Sequence, residues 1–308
     1  MPAKATRAAF GEALLDLGAV DDRIVTLDAD LSKSTMTAAF AKKYPDRAFN
    51  LGIAEANMIG VGAGLALAGK IPFVASFACF LVGRFETIRM SVAYTNANVK
   101  LVGTHVGVAI GEDGYSQMGL EDIACIRALP NIPVIQPADE LECKQVIAYA
   151  VEHQGPLYLR LTRQNLEPVC PADYRFTLGK WLTLREGGDV TLIASGGTVF
   201  NALEAAKQLE SDGIRAEVIN AACIKPLDEE MLVASARRTR HVVTVEDHSV
   251  NGGLGGAVSE LLAEVAPTHV RRLGVHGFGE SGDLKGLYAK HGLDAAGIAG
   301  SVRKFVGK

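Results

Sequence analysis

The sequence predicts an α/β protein of two consecutive domains, each built on a mostly parallel sheet. Three observations lead there. The chain has 308 residues, which suits two domains at roughly 150 residues each, both large enough to bury a core. Short apolar runs alternate with amphipathic stretches along the whole chain, the rhythm of strand–helix units. The apolar runs lack polar alternation, as expected for strands covered by helices on both faces.

Taking the elements in order, strands are expected at 25–30, 73–77, 99–103, 132–136 and 157–161. Between them, helices are expected at 7–17, 55–68, 81–94, 120–128 and 140–151, where apolar residues recur every three or four positions. The first domain thus covers 1–168. Pro168, Cys170 and Pro171 then break the pattern, and 169–188 reads as a linker. A second unit over 189–308 has strands at 190–194, 216–219, 241–245 and 270–273, with helices near 202–208, 229–237, 256–265 and 284–290.

Composition narrows the function classes. Lys+Arg 31 against Asp+Glu 35 gives a net charge of −4, so no overall basic field draws nucleic acid or anionic lipid. The cysteines are odd in number (5) and never form Cys-x-x-Cys, which fits a reducing, cytoplasmic setting. The basic start runs into Ala8-Ala9-Phe10-Gly11-Glu12 without the apolar stretch of a signal peptide. The apolar region over 56–82 is cut by Gly69-Lys70 and Pro72 into pieces shorter than the ~20 residues of a membrane span. A small-molecule enzyme, without nucleic-acid or membrane partners, is the reading that remains.

Candidate chemistry begins with Glu55, in Gly52-Ile53-Ala54-Glu55-Ala56-Asn57-Met58. A carboxyl opening a buried helix is a proton-transfer candidate because desolvation disfavours its charge. Pattern alone favours the alternative, a Glu stabilised by the helix dipole. The polar run Gly111-Glu112-Asp113-Gly114-Tyr115-Ser116-Gln117 follows a strand ending in Gly103-Thr104-His105. It therefore reads either as a ligand loop at the carboxyl end of a sheet or as a turn using Asp and Gly for their geometry. Arg7, Ser34, His105 and Arg163 lie at or near element ends. They suit one shared anion or separate surface and capping roles. His248 has no second His or Cys at ligand spacing, so a structural hydrogen bond is preferred to a metal role. The glycine runs at 195–198 and 253–258 lack the P-loop ending and the dinucleotide fingerprint, and read as tight turns. Neither Gly-x-Ser-x-Gly nor His-Glu-x-x-His occurs.

Several of these segments belong together. Leu51-Gly52-Ile53-Ala54-Glu55-Ala56-Asn57-Met58, Ser76-Phe77-Ala78-Cys79-Phe80, Gly111 through Met118 and Arg160-Leu161-Thr162-Arg163-Gln164-Asn165 closely resemble the transketolase family. The resemblance continues through Ile224-Lys225-Pro226-Leu227-Asp228 and Val245-Glu246-Asp247-His248. Only the family's carboxyl half is matched: a pyrimidine-binding fold, then the C-terminal domain. The front half, whose Gly-Asp-Gly segment and downstream Asn bind the cofactor diphosphate through a divalent metal, has no counterpart. Glu112-Asp113-Gly114 and Ser211-Asp212-Gly213 lack that pattern. The chain thus looks like the carboxyl-terminal subunit of a split transketolase whose amino-terminal subunit is a separate partner.

What the resemblance implies is specific. The cofactor is thiamine diphosphate, with Mg2+ or Ca2+ held mainly by the partner, and paired halves form a heterotetramer. Glu55 matches the glutamate bonded to N1′ of the aminopyrimidine ring, which reverses the dipole reading. Its proton stabilises the imino tautomer, whose neighbouring nitrogen deprotonates the thiazolium carbon. Phe77 and Phe80 match the aromatic wall against the pyrimidine, and Asp30 an acidic position beside cofactor and subunit contact. Arg7, Ser34, His105 and Arg163 match the sugar-phosphate site, and Asp113 the aspartate that reads a substrate hydroxyl. Gln117 departs from the His of many members and resembles the mammalian type; a Gln orients an oxygen but relays no proton.

The implied reaction moves a two-carbon ketol unit from a ketose phosphate to an aldose phosphate. Two rivals accompany it. One is the β-type subunit of another thiamine-diphosphate enzyme, such as a 2-oxo acid dehydrogenase or a deoxyxylulose-phosphate synthase. The other is a catalytically silent assembly subunit, against which the intact Glu55, Phe77, Phe80 and Asp113 argue.

Overall fold

The computed structural model describes residues 2–307. Its strands are β1 (Lys4–Ala5), β2 (Ile24–Asp28), β3 (Ala48–Asn50), β4 (Ile71–Phe77), β5 (Lys100–Thr104), β6 (Val134–Ile135) and β7 (Leu157–Arg160). They are followed by β8 (Asn165–Leu166), β9 (Leu182–Arg185), β10 (Val190–Ala194), β11 (Ala216–Asn220), β12 (Cys223–Lys225), β13 (His241–Ser249) and β14 (His269–Val275). The first main sheet has the order β12-β6-β7-β5-β4-β2-β3, and the second β14-β13-β10-β11-β9. Both are parallel except at one edge, where β12 pairs with β6 and β9 with β11 in antiparallel fashion. Strands β2, β4 and β5 are buried along their whole length, which explains why they carry no polar alternation.

The expected helices form with shifted ends. The helix Thr6–Leu17 packs against Glu140–Glu152, and Glu55–Leu67 follows β3 and packs on β4. Gly62 makes the second packing possible: a Cβ there would lie 2.6 Å from Val74 Cγ2. The single helix expected over 81–94 is in fact broken into Ala78–Val82, Phe85–Thr87 and a π-helical stretch Ile88–Ala93. Gly83 closes the first piece, its N–H bonding back to Cys79 O at 3.0 Å. The strand expected over 132–136 shrinks to β6, since Pro133 has no N–H to give a ladder.

Short elements with too little pattern to announce themselves include β1, β3, β8 and β12 and the helices Ser32–Thr35 and Ala38–Lys43; the amphipathic C-terminal helix Ala295–Val306, with Ile298, Ala299 and Val302 buried, was simply missed. Inside the stretch expected to be linker, β9 forms and joins the second sheet. From the second unit, β12 crosses back to the first sheet. The apolar core follows the same crossing. One buried cluster runs from Phe10, Leu27 and Val74 to Trp181, Ile219 and Leu254. The other joins Val108, Ile110 and Met118 to Leu192, Val243 and Leu287. Among the described residues no helix is long and apolar enough to cross a membrane.

Candidate functional site

The carboxyl ends of β2, β4, β5 and β7 face the same way because these strands are parallel, and nearly every sequence-predicted site residue lies on that edge. The pairing of β1 with β8 does the rest. It sets Lys4 opposite Leu166 and Ala5 opposite Asn165. The Thr162 N–H donates to Thr6 Oγ1 at 2.8 Å and the Arg7 N–H to Thr162 O at 3.3 Å. Arg7 and Arg163, far apart in sequence, thereby become neighbours whose charges repel.

The arginine cluster is tied down by named partners. Arg7 Nη1 donates to Ser34 O at 2.7 Å and to His105 Nε2 at 3.1 Å. A guanidinium only donates, so Nε2 accepts and the ring proton is on Nδ1, which donates to Thr104 Oγ1 at 2.9 Å. Thr104 in turn donates to Ser76 O at 3.3 Å. Burial, then the charges of Arg7 and Arg163, push the His105 pKa down to about 3. Arg7 is itself lowered by burial and by Arg163. Arg163 Nη1 donates to Ile110 O at 2.9 Å and pairs with Asp113 Oδ2 at 3.0 Å. His105 and Asp30 have φ of +57° and +64°, a region that non-glycine residues enter rarely and that concentrates at functional sites.

Ser34 meets this cluster through its backbone carbonyl, which is how it holds Arg7. The rings stack in sequence: Phe77 lies 5.4 Å from Phe80 at 12° and 3.7 Å from His105 at 25°. Phe77 is buried and Phe80 half-buried, so the stack presents Phe80 outward. Gln117 is half-buried at the end of the turn Tyr115–Gln117, which Cys79 Sγ contacts at Ser116 O, 3.7 Å.

Glu55 is the first residue of its helix and only 5% exposed. Among the described residues its carboxylate faces one opposite charge, Arg84, at 4.0 Å, and no closer donor satisfies it. A buried carboxylate in that situation is available to a ligand. Asp30 sits just past β2, where its N–H donates to Asn50 Oδ1 at 3.1 Å and Asn50 Nδ2 reaches Asp30 Oδ1 at 3.4 Å. Asn50 Oδ1 also accepts the Gly52 N–H at 2.9 Å, joining Asp30 to the segment that leads into Glu55. Sequence reading missed Asn50 and Arg84; the polar Asn closing an otherwise apolar strand next to Gly52 was the available signal.

His248 is structural, as its isolation in sequence suggested. Its Nδ1 donates to Ser249 O at 2.7 Å, and burial pushes its pKa down to about 4. Glu246 accepts the N–H groups of Leu254 and Gly255 at 2.7 and 2.8 Å, capping the helix Leu254–Val265, and burial moves its pKa up to about 7. The glycines at 253–256 let that helix start close to β13, and Gly197 admits Gln164 beside Tyr288. Both glycine runs are packing devices. Among the described residues no cluster of three or more His, Cys, Asp or Glu is placed to hold a metal. A cavity of about 470 Å3 between Gln164 and the helices Val199–Ser211 and Leu284–Lys290 is lined by Gly197 and Tyr288 and by none of the sequence-predicted site residues.

Comparisons with known proteins place this architecture. The family profile for the transketolase pyrimidine binding domain matches residues 3–168, and that for the transketolase C-terminal domain residues 179–298. A putative transketolase C-terminal section from Methanocaldococcus jannaschii is 47% identical, with 96% of this chain and 94% of that protein covered. A 6-deoxy-6-sulfo-D-fructose transketolase subunit from a Clostridium species is 44% identical over 95% of this chain and 91% of its own length. Human transketolase is 37% identical over 99% of this chain but only 49% of its own length. Among solved structures, a split-gene transketolase described as an inactive beta4 tetramer superposes with a TM-score of 0.91 at 47% identity, covering 98% of both chains. By these matches, the chain belongs to the transketolase family and carries its pyrimidine-binding and C-terminal domains.

Proposed function

We propose that this chain is the carboxyl-terminal subunit of a thiamine-diphosphate-dependent transketolase and works with a separate amino-terminal subunit. Relatives named as a section or subunit are matched over 94% and 91% of their own length, which supports the split. The same reading divides the chain at 1–168, 169–188 and 189–308, while the matched C-terminal span begins at 179 and β9, at 182–185, belongs to the second sheet. The observation that carries it is the convergence of Arg7, His105, Asp113 and Arg163 on the edge that also holds Glu55.

The residues fit the cofactor. Glu55, buried and without a close donor among the described residues, holds a proton at a ring nitrogen of the aminopyrimidine. Phe80, at the outward end of the stack, would lie against that ring, and Phe77, held behind it on His105, would keep the aromatic wall in place. Asp30 and Asn50 order the approach to Glu55. When bound, thiamine diphosphate supplies the nucleophilic carbon and the electron sink for carbon–carbon cleavage. The divalent ion, Mg2+ or Ca2+, falls to the amino-terminal subunit, as does proton relay on the substrate, since Gln117 only orients an oxygen. Pairs of halves assemble as a heterotetramer, and the free cysteines suit a cytoplasmic setting.

Arg7 and Arg163 bind the anionic end of the sugar by charge-assisted bonds, with neutral His105 orienting Arg7. Asp113, steadied by Arg163, reads a hydroxyl and discriminates by leaving its bond unmade when that hydroxyl is missing or inverted. Two guanidinium groups also suit a sulfonate, a tetrahedral oxyanion like a phosphate monoester but with a single negative charge. The sulfofructose and apulose-4-phosphate transketolase subunits among the relatives favour a second reading in which the physiological sugar is of that kind. The test is ketol transfer to ribose 5-phosphate from xylulose 5-phosphate and from 6-deoxy-6-sulfofructose, with this chain alone and with an amino-terminal subunit. Transfer by the mixture only is expected, and the faster donor identifies the sugar class. Transfer by the chain alone would overturn the shared site.

A further inference from the structure

The segment over 107–117, which carries Asp113 and Gln117, leaves β5 and folds through the tight turns Val108–Asp113 and Tyr115–Gln117. Its shape depends on three glycines, Gly107, Gly111 and Gly114, with φ of +76°, +81° and +77°, values that cost little only for glycine. Each glycine also faces the second domain. A Cβ at Gly107 would overlap the Asp247 carboxylate, one at Gly111 would lie 3.2 Å from Gly282 O, and one at Gly114 would lie 2.5 Å from Ser281 Oγ.

The remaining contacts run the same way. Val108, Ala109, Ile110 and Met118 are buried in the apolar cluster that contains Val243, Val245 and Leu287. Asp247 Oδ1 accepts the Val108 N–H at 2.8 Å; Oδ2 accepts the Ala109 N–H at 3.4 Å and the Tyr288 hydroxyl at 3.0 Å. Tyr288 also accepts from Gln164 Nε2 at 2.9 Å, beside the Arg163 that holds Asp113. Tyr115 meets Phe278 edge to face at 4.7 Å. The Gly107 and Gln117 N–H groups bond within the first domain, to Gly119 O and Gly114 O, but the three glycines, the buried apolar side chains and the Val108 and Ala109 N–H groups meet the second domain, which thereby shapes the loop between its two ends.

Resting on the transketolase reading above, we infer that the second domain is the template for the substrate loop, with Asp247 and Tyr288 as positioning residues that fix where Asp113 meets the sugar. Tyr288→Phe keeps the buried ring and deletes one hydroxyl. Asp247→Asn keeps the shape and replaces one acceptor oxygen by a donor aimed at backbone N–H groups or Tyr288.

The test has two arms. Amide hydrogen exchange on the full-length chain is expected to speed up about three- to tenfold over 107–114 in Tyr288→Phe, and more in Asp247→Asn, with β10 and β11 unchanged. In the complex with an amino-terminal subunit, Tyr288→Phe should raise KM for the ketose phosphate about threefold or more and alter kcat less than about twofold. Unchanged exchange over 107–114, or acceleration spread evenly through the second domain, overturns the template. Faster loop exchange with unaltered KM overturns the positioning of Asp113. If the wild-type complex transfers no ketol unit, the transketolase reading fails by itself, and exchange in the isolated chain still decides whether the template stands.

Discussion

His105 shows how much of the site is set by single residues. Its ring accepts from Arg7, donates to Thr104 and stacks on Phe77, so protonation at Nε2 would break the Arg7 bond. Ring titration by NMR should show His105 neutral down to about pH 3; an ordinary midpoint near about 6.5 would contradict the arrangement. Arg163 supplies a second test. Arg163→Lys keeps the charge but loses the planar guanidinium whose Nη1 bonds both Asp113 and Ile110 O and whose other N–H groups remain for an anion. In the assembled enzyme KM should rise about tenfold, the worth of roughly 1.4 kcal/mol in a charge-assisted contact. An unchanged KM would remove Arg163 from the anion site. Residue identities of this kind were legible through resemblance, but their meeting was not. Only the β1–β8 pairing, two residues per strand, brings Arg7 to Arg163, and so short a ladder leaves no periodic trace. The way Ser34 takes part was hidden for a related reason: any residue there has a carbonyl to offer Arg7.

At the scale of elements, the helix Glu55–Leu67 sets Glu55 at the sheet edge by resting on β4 through Gly62. Gly62→Ala puts a methyl 2.6 Å from Val74 Cγ2. Overpacking of this sort costs about 1–3 kcal/mol, read as a lower denaturation midpoint with unchanged m-value; a midpoint equal to wild type would mean the helix is free to shift. The long, fully buried strands were readable because continuous apolar runs have few other uses. The broken helix over 78–93 was not, because its apolar spacing continues through the interruption at Gly83 while the backbone does not. β9 was hidden by the glycines and charged residues on either side of it, its four positions all only half-buried.

For the molecule as a whole, buried titratable groups link stability to pH. Arg160 is completely buried against Asp122, bonding it at 2.8 Å, and also reaches Gly119 O and Asp247 O. Burial pushes Asp122 upward, but the adjacent guanidinium wins and holds it below the usual carboxylate range. Arg160→Met leaves that charge unpaired and should cost about 3–5 kcal/mol, seen as a large fall in thermal midpoint. His248, beside this pair, has a folded pKa of about 4 against an ordinary value of 6.5. Between these values the unfolded chain binds a proton that the folded one refuses. The stabilisation is therefore full above pH 6.5 and fades as pH falls toward about 4. Melting curves of wild type and His248→Asn should diverge in slope across that window, and parallel curves would contradict a neutral buried His248. The crossing of β12 into the first sheet, which ties the two domains together, was not foreseeable from either half of the sequence, since strand partners in different domains share no local pattern.

The measurement that bears most directly on the central claim is thiamine-diphosphate-dependent ketol transfer by this chain and by Glu55→Gln, each assembled with an amino-terminal subunit, with assembly followed by sedimentation. Glu55 carries the proposed proton at the cofactor ring from a buried position with only Arg84 near it among the described charges. Glu55→Gln should assemble normally while kcat falls about 10²-fold or more. An assembled Glu55→Gln complex with wild-type turnover would contradict the account.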